Sequence, residues 1–381
     1  MDNDMKMIFR KAALSIVQGC IFILTALASP HDYLLKTIDV QTGLSDNCVN
    51  DLLCDSDNFL WIGTNEGLDF YDGSNIVHFD LLSSENGRAS IVFALAEDPS
   101  GAIWVGTSNG LFRVIKGAGS VQKIEHDDLD GQIVRHIACT SDGILWISLS
   151  SKNLVRVDAA TLDVSSTSIA SKSLCVDSEG GLYVLTDDGQ ILYSSSGASE
   201  FKSISLDVGQ LVKEKGLSRI IYVRGKLFLS DVNGAPFVLD LKTLEIKHLP
   251  FLSKMRDVLE HSSGELWVAA RDGVHVLEND LRQQRVFRPY HDNSFRALVE
   301  DKWGGVWAGT LFEGMARICH NHLDFYHYTE NFTGGAALRL VILSRPRMAV
   351  SGSEQTQEDW CVWIPTRRQI RLHVSISRGE I

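Results

Sequence analysis

Basic side chains recur at one position of a repeat that runs along this sequence. Each copy of the repeat contains one large aromatic residue. Six copies carry a basic or polar side chain eleven residues before that aromatic residue, or nine residues before it in one poorly aligned copy. These residues are Asn50, Arg135, Lys172, Arg219, Arg256 and Arg296. Arginine and lysine gathered at one level would hold a carboxylate or a sulfate through charge-assisted hydrogen bonds. We therefore predict a ligand-binding site made of these six residues.

The chain as a whole is acidic, in contrast to these recurring basic residues. The sequence has 36 basic and 48 acidic residues, which gives a net charge of -12. A ring of cations on such a protein would focus positive potential on its axis. The alternative is that the basic side chains pair with acidic neighbours such as Asp51 and Asp257, or face solvent. The acidic balance also disfavours non-specific binding of nucleic acid, which depends on neutralising phosphates.

No catalytic or metal-binding constellation stands out. The 12 histidines are scattered, and no Cys-x-x-Cys or Cys/His cluster has zinc-ligand spacing. We expect no cofactor, no metal and no catalytic residue. A polysaccharide lyase or glycosidase is a less favoured alternative, since acid and base residues need not be close in sequence.

The elements that would position the basic residues are visible in the repeat itself. Each copy places one large aromatic residue in a short strand; these are Trp61, Trp104, Trp146, Tyr183, Phe228, Trp267 and Trp307. Successive copies are separated by 43, 42, 37, 45, 39 and 40 residues. The clearest copies add glycines at fixed offsets, namely Gly63, Gly67, Gly106, Gly110 and Gly309.

This spacing predicts an all-β fold. Apolar runs of four to six residues bounded by glycine indicate short strands rather than the long helices of a helical solenoid. Four short strands in about 40 residues, repeated, are typical of a β-propeller. We predict a seven-bladed β-propeller of four-stranded antiparallel blades, with the aromatic residues packed between blades. The segment from Tyr33 to Asp39 is a candidate closing strand.

The N-terminus predicts export. Lys6, Arg10 and Lys11 precede an apolar run that ends at Ala28, and a small-x-small cleavage pattern closes it. We expect a signal peptide over residues 1–28, a propeller over 29–328 and a periplasmic location. An uncleaved N-terminal anchor is the alternative.

The best-preserved copy resembles a known repeat. It reads Gly-Leu-Ser-Asp-Asn from Gly43 to Asn47 and Leu-Trp-Ile-Gly-Thr-x-x-Gly-Leu-x-x-Tyr-Asp-Gly from Leu60 to Gly73. This pattern resembles the two-component regulator propeller, and the resemblance extends over about residues 33–328. It implies the periplasmic sensor of a hybrid two-component system, with an oligosaccharide derived from a glycan as ligand. In that family a second propeller, a β-sandwich, a membrane helix and a histidine kinase follow.

No kinase motif or later membrane helix is found in this sequence, so we expect a truncated sensor that is not itself an enzyme. A propeller scaffold for protein interaction or homodimerisation is the alternative.

The segment 329–381 departs from the repeat. It contains no lysine and seven arginines, namely Arg339, Arg345, Arg347, Arg367, Arg368, Arg371 and Arg378. Shifting the reading frame across the codons of Val350 to Ile364 permits a Leu-Trp-Ile-Gly-Thr motif in register with the blades. We therefore expect an aberrant tail, the frameshifted start of a second propeller. A divergent or unstructured tail is the alternative.

Overall fold

A computed structural model describes residues 33–79, 81, 89–116, 119–150, 152–197, 200–204, 216–231, 233–320, 341–343, 360–363 and 370–372. The described residues contain strands and turns but no helix. The predicted signal peptide lies outside them. Among these residues no helix is long and apolar enough to cross a membrane.

Most of the described strands form seven antiparallel blades. The strands of blades 1 and 2 are β2 (Val49–Cys54), β3 (Leu60–Thr64), β4 (Gly67–Tyr71), β5 (Ile76–Phe79), β6 (Val92–Glu97), β7 (Ile103–Thr107), β8 (Gly110–Ile115) and β9 (Ser120–Lys123). Those of blades 3 and 4 are β10 (Val134–Cys139), β11 (Ile144–Leu149), β12 (Asn153–Asp158), β13 (Val164–Val176), β14 (Leu182–Thr186), β15 (Ile191–Ser194) and β16 (Lys202–Ser203).

The remaining blades complete the ring. Blades 5 and 6 comprise β17 (Leu217–Val223), β18 (Lys226–Asp231), β19 (Pro236–Asp240), β20 (Ile246–His248), β21 (Asp257–Glu260), β22 (Leu266–Ala270), β23 (Gly273–Leu277) and β24 (Gln283–Phe287). Blade 7 comprises β25 (Phe295–Glu300), β26 (Val306–Thr310), β27 (Met315–His320) and the N-terminal strand β1 (Tyr33–Ile38).

The first strands of successive blades contact one another, and β25 of blade 7 contacts β2 of blade 1. The predicted seven-bladed fold and its closing strand are confirmed.

Blades 3 and 4 share one strand. The first half of β13 pairs with β12, and its second half pairs with β14. β13 therefore serves as the outermost strand of blade 3 and the innermost strand of blade 4. The sequence pattern treated the two copies as separate units and did not reveal this continuity.

Glycine in the second strand lets neighbouring blades approach closely. At Gly63, Gly106 and Gly309 an added β-carbon would lie 2.5–2.6 Å from a valine Cγ1 of the next blade. The three valines are Val92, Val134 and Val49, each the first residue of its blade's innermost strand. A larger residue would force these strands apart, because interiors are close-packed.

The repeated aromatic residues are all buried, as predicted, and three are held by hydrogen bonds. The indole N–H groups of Trp61, Trp104 and Trp307 donate to Asp55, Asp98 and Asp301 at 2.9, 2.8 and 3.1 Å. In the same blades threonine closes the next turn; Thr64 and Thr107 donate to the carbonyls of Gly67 and Gly110. Both glycines have positive φ, +117° and +106°, which favours glycine over other residues.

Blade 5 corrects one sequence alignment. β17 and β18 are joined by a two-residue turn, Arg224-Gly225, in which both residues have positive φ. Such a hairpin turn is shorter than the five-residue turn between β2 and β3 of blade 1. Counting back from Phe228 therefore misplaced Arg219 relative to the other basic residues by one position.

The chain beyond the propeller forms a separate unit. The propeller's compact unit runs from Leu35 to Ile318. In the other unit three short strands, β28 (Val341–Leu343), β29 (Trp360–Trp363) and β30 (Ile370–Leu372), form an antiparallel sheet. Most of the segment 329–381 lies outside the described residues, and the frameshift hypothesis remains a prediction.

Candidate functional site

A β-bulge re-aims one side chain in the innermost strand of six blades. In each of these strands pairing with the second strand skips one residue near its start. The skipped residues are Asn50, Phe93, Arg135, Lys172, Ser218 and Arg296. In blade 6 Arg256 holds the equivalent place, directly before Asp257, which pairs with Ala269. Bulges commonly redirect side chains toward functional sites.

One cavity of about 410 Å³ collects these side chains. Its walls contain all six predicted site residues, Asn50, Arg135, Lys172, Arg219, Arg256 and Arg296. Ser150 and Asp187, which follow the second strands of blades 3 and 4, also line it. The cavity therefore lies at the end of the channel where the innermost strands begin. Six residues that are up to 246 positions apart meet there.

Four of the predicted residues have fixed partners. Arg296 donates to Asn50 Oδ1 at 2.5 Å, and Asn50 Nδ2 donates to the carbonyl of Val92 at 2.9 Å. Arg135 Nε donates to the hydroxyl of Ser150 at 2.7 Å. Lys172 Nζ donates to the carbonyl of Asp187 at 2.9 Å. Each of these cations is thus positioned by a neutral acceptor, and none of the three forms an ion pair within the described part of the chain.

Phe93 supports Arg135, a role that the sequence pattern missed. The guanidinium carbon of Arg135 lies 4.7 Å from the centre of the Phe93 ring. This is a cation–π contact, which orients the guanidinium without neutralising it. Phe93 occupies the same slot as the basic residues, and that shared slot was the available signal.

Arg219 and Arg256 have neither a side-chain hydrogen bond nor an ion pair among the described residues. Burial lowers the pKa of the Arg256 guanidinium, and the positive charges of Arg296 and Arg219 lower it further. Such mutual repulsion is costly unless an anion relieves it. Arg219 comes one residue after the bulge, and it also lines a second cavity that lies below the cations.

The acidic neighbours do not neutralise this cluster directly. Asp51 accepts the backbone N–H of Leu95, and Asp257 accepts that of Leu298, both at 2.8 Å. Each carboxylate thus bonds the innermost strand of the following blade. No ion pair joins either of them to a basic residue in the described part of the chain. Against the larger effect of burial, the charge of Arg219 nevertheless lowers the pKa of both carboxyl groups, so these acidic neighbours interact with the cluster without direct contact.

Below the cations a second cavity of about 260 Å³ contains both carboxyl groups. Burial raises the pKa of Asp51 to about 7, and the charge of Asp257 adds to the rise. Burial also raises the pKa of Asp257. His136 lines this cavity too; burial, Arg219 and Arg135 lower its pKa to about 3. His136 is therefore neutral at physiological pH, whereas Asp51, with a pKa of about 7, changes its charge in that range.

No cluster of three metal-binding side chains occurs among the described residues. Cys48, Cys54, Cys139 and Cys175 form no disulfide, and Cys54 and Cys139 hold the same position in their blades, as the sequence alignment predicted.

Residues 43–66 and 86–109 match the family model described as two component regulator propeller. Blades 1 and 2 carry two-component regulator propeller repeats. Among curated protein sequences, none matches this chain significantly.

Solved structures share the propeller fold. The extracellular domain of a putative hybrid two component system from B. thetaiotaomicron is 17% identical with a TM-score of 0.62, over 90% of this chain and 49% of that one. The extracellular domain of a putative one component system from the same organism is 18% identical with a TM-score of 0.62, over 90% and 48%. This chain thus spans about half the length of these two extracellular domains.

A streptogramin B lyase also matches, at 12% identity and a TM-score of 0.61, over 76% of this chain and 98% of that one. This chain and the lyase therefore share a fold. At such identities the likeness concerns the fold alone.

Proposed function

We propose that this chain is the ligand-sensing, extracytoplasmic module of a two-component signalling system. It binds an anionic oligosaccharide at the mouth of its propeller channel. The regulator propeller repeats in blades 1 and 2 support the signalling context. The predicted signal peptide supports a periplasmic location.

The cluster of cations in the 410 Å³ cavity carries the proposal. Five basic side chains from five blades face one space, and those with partners bond neutral acceptors. Carboxylates or sulfates would supply the missing negative charge through bidentate contacts with arginine. The volume suits one or two sugar units, since small-molecule pockets begin near about 300 Å³.

Calorimetry with tetragalacturonate, compared with neutral maltotetraose, tests this function. Arg135→Ala and Arg256→Ala should each weaken tetragalacturonate binding by about tenfold or more, because a charge-assisted hydrogen bond contributes roughly 1.5–3 kcal/mol. Arg282→Ala is the matched control, since Arg282 is exposed and pairs with Asp280 away from the channel. Equal affinity in all three variants would remove this cavity from consideration.

A scaffold that only binds proteins or dimerises would behave differently. It should show no thermal stabilisation by tetragalacturonate, since only a ligand of the folded state shifts the unfolding equilibrium. Sedimentation of the same sample would report the homodimer.

A further inference from the structure

Blade 3 lacks a hydrogen-bonding arrangement that blades 2 and 7 share. In blades 2 and 7 an aspartate accepts two donors: the indole N–H of the repeated tryptophan and the guanidinium of an arginine on the third strand. Asp98 binds Trp104 at 2.8 Å and Arg113 at 3.4 Å. Asp301 likewise binds Trp307 at 3.1 Å and Arg317 at 2.7 Å. The carboxylate thus satisfies a tryptophan and an arginine together.

Blade 3 keeps both donors and lacks the acceptor. Trp146 and Arg156 pair across β11 and β12, as Trp104 and Arg113 do across β7 and β8. Six residues before the repeated aromatic residue, blades 1, 2, 4 and 7 have an aspartate, whereas blade 3 has Thr140 and blades 5 and 6 have Tyr222 and His261. Among the described residues no acceptor bonds the Trp146 indole or the Arg156 guanidinium.

Asp142 closes the turn as the aspartates of blades 2 and 7 do, but it accepts no hydrogen bond from Trp146 or Arg156. Its carboxylate accepts the Thr140 hydroxyl at 2.5 Å and the Ile144 backbone N–H at 3.4 Å, which closes the turn. It forms no ion pair with Arg156. Asp158 senses the charge of Arg156 but forms no ion pair with it either. The indole N–H of Trp146 and the guanidinium of Arg156 can therefore donate to a ligand.

Both donors line a cavity of about 340 Å³ between blades 3 and 4. Trp146 is 8% exposed, and its side chain lines this space. Phe201 packs edge-on against Trp146 with ring centres 5.7 Å apart. Ser165, Ser195 and Ser196 add hydroxyl groups to the wall. The cavity has the volume of a single sugar ring and offers an aromatic side, hydroxyls and one cation.

We propose that this cavity binds the carboxylate of a uronic acid unit, in the place that Asp98 and Asp301 fill in blades 2 and 7. The ligand carboxylate accepts the Trp146 indole N–H and the Arg156 guanidinium. Its ring hydroxyls face the serines. Asp142 confines the carboxylate to the side of Arg156 by repulsion. This pocket is separate from the channel and does not depend on the function proposed for it.

Indole resonances in NMR spectra test the site on the full chain. Trp146→Phe identifies the Trp146 signal, and sodium glucuronate is then titrated into the wild-type protein. The Trp146 signal should move in a saturable way, and glucose should leave it in place. Arg156→Gln should weaken glucuronate binding about tenfold. Thr140→Asp should abolish it, because the new carboxylate would occupy the same position.

Matched variants separate the outcomes. Arg113→Gln, whose arginine already has Asp98, should leave the Trp146 titration unchanged. Arg135→Ala in the channel should leave it unchanged as well, so the two proposals fail independently. An immobile Trp146 signal, or equal affinity in Arg156→Gln and wild type, would overturn the proposal. An equal response to succinate would refute the sugar assignment.

Discussion

Val49 in blade 1 packs directly on Gly309 in blade 7. A β-carbon at Gly309 would lie 2.5 Å from Val49 Cγ1, closer than real carbon atoms approach. The contact joins the first blade to the last, so the ring closes through a valine and a glycine that lie 260 positions apart. Blades 1 and 2, and blades 2 and 3, repeat the same contact.

Gly309→Ala should destabilise the propeller through this contact. Overpacking of a close-packed interior costs about 1–3 kcal/mol, measured by urea unfolding. In a Val49→Ala background the same change should cost much less, because the clashing Cγ1 is gone. An identical cost in both backgrounds would show that the strain arises elsewhere.

Gly314→Ala should disturb the closing strand. A β-carbon there would lie 2.2 Å from the carbonyl oxygen of Ile38 on β1, and the residue has φ of +74°. Gly131→Ala is the control, because Gly131 has φ of +65° but no atom within 4 Å of the added carbon. We expect the melting temperature to fall markedly more for Gly314→Ala. Similar losses would mean that backbone conformation alone sets the cost.

Asp98→Asn should cost about 1–3 kcal/mol, the usual penalty for weakening hydrogen bonds to a buried charge. Burial would raise the pKa of Asp98, but the hydrogen bonds from Ser100, Trp104 and Ala102 outweigh it and lower the pKa. A lowered pKa means that Asp98 stabilises the fold above its unfolded pKa, and that this stability is lost as pH falls through the folded pKa. Thermal melts between about pH 2.5 and 6 should therefore show a shallower acid transition in Asp98→Asn. Parallel curves would contradict this account.

Asp51 should make anion binding depend on pH. Its pKa of about 7 lies above the unfolded value, so its protonated form stabilises the fold at low pH and this contribution is lost as pH rises through about 7. Protonation removes a negative charge beneath Arg219, while His136 stays neutral because its pKa is about 3. Tetragalacturonate should bind severalfold more tightly at pH 6 than at pH 8.

Asp51→Asn is the variant for this test. It should bind tetragalacturonate with the same affinity at both pH values, near the tighter wild-type value. A pH dependence that survives in Asp51→Asn would point to Asp257 instead, whose pKa burial also raises.

The number of blades and the shared level of most basic residues could be predicted from spacing, because a regular turn fixes the distance between Arg135 and Trp146. At Arg219 the count is one position away from the bulge, because a two-residue turn shortens the hairpin, yet Arg219 still lines the cavity. The bulge itself could not be predicted, since it reflects how each innermost strand pairs and not which residues it contains. The family resemblance predicted from the first copy agrees with the family match.

The missing carboxylate beside Trp146 could not be predicted from residue spacing either. Thr140 is a modest substitution in one copy, and the sequence alone gave no sign that Asp142 would close the turn while leaving Arg156 without an acceptor. Only the pairing of Trp146 with Arg156 across two strands makes the missing carboxylate visible.

The continuous strand β13 has a mechanical consequence. Ser165, near its start, borders the cavity between blades 3 and 4, and Lys172, further along, borders the channel. Between these two residues the pairing of β13 is interrupted twice, once where it passes from Ser166 to Ala170 and once at the bulge of Lys172. Because bulges bend a strand, β13 can flex at two points, and each cavity can adjust its own end of the strand while the chain between them stays continuous.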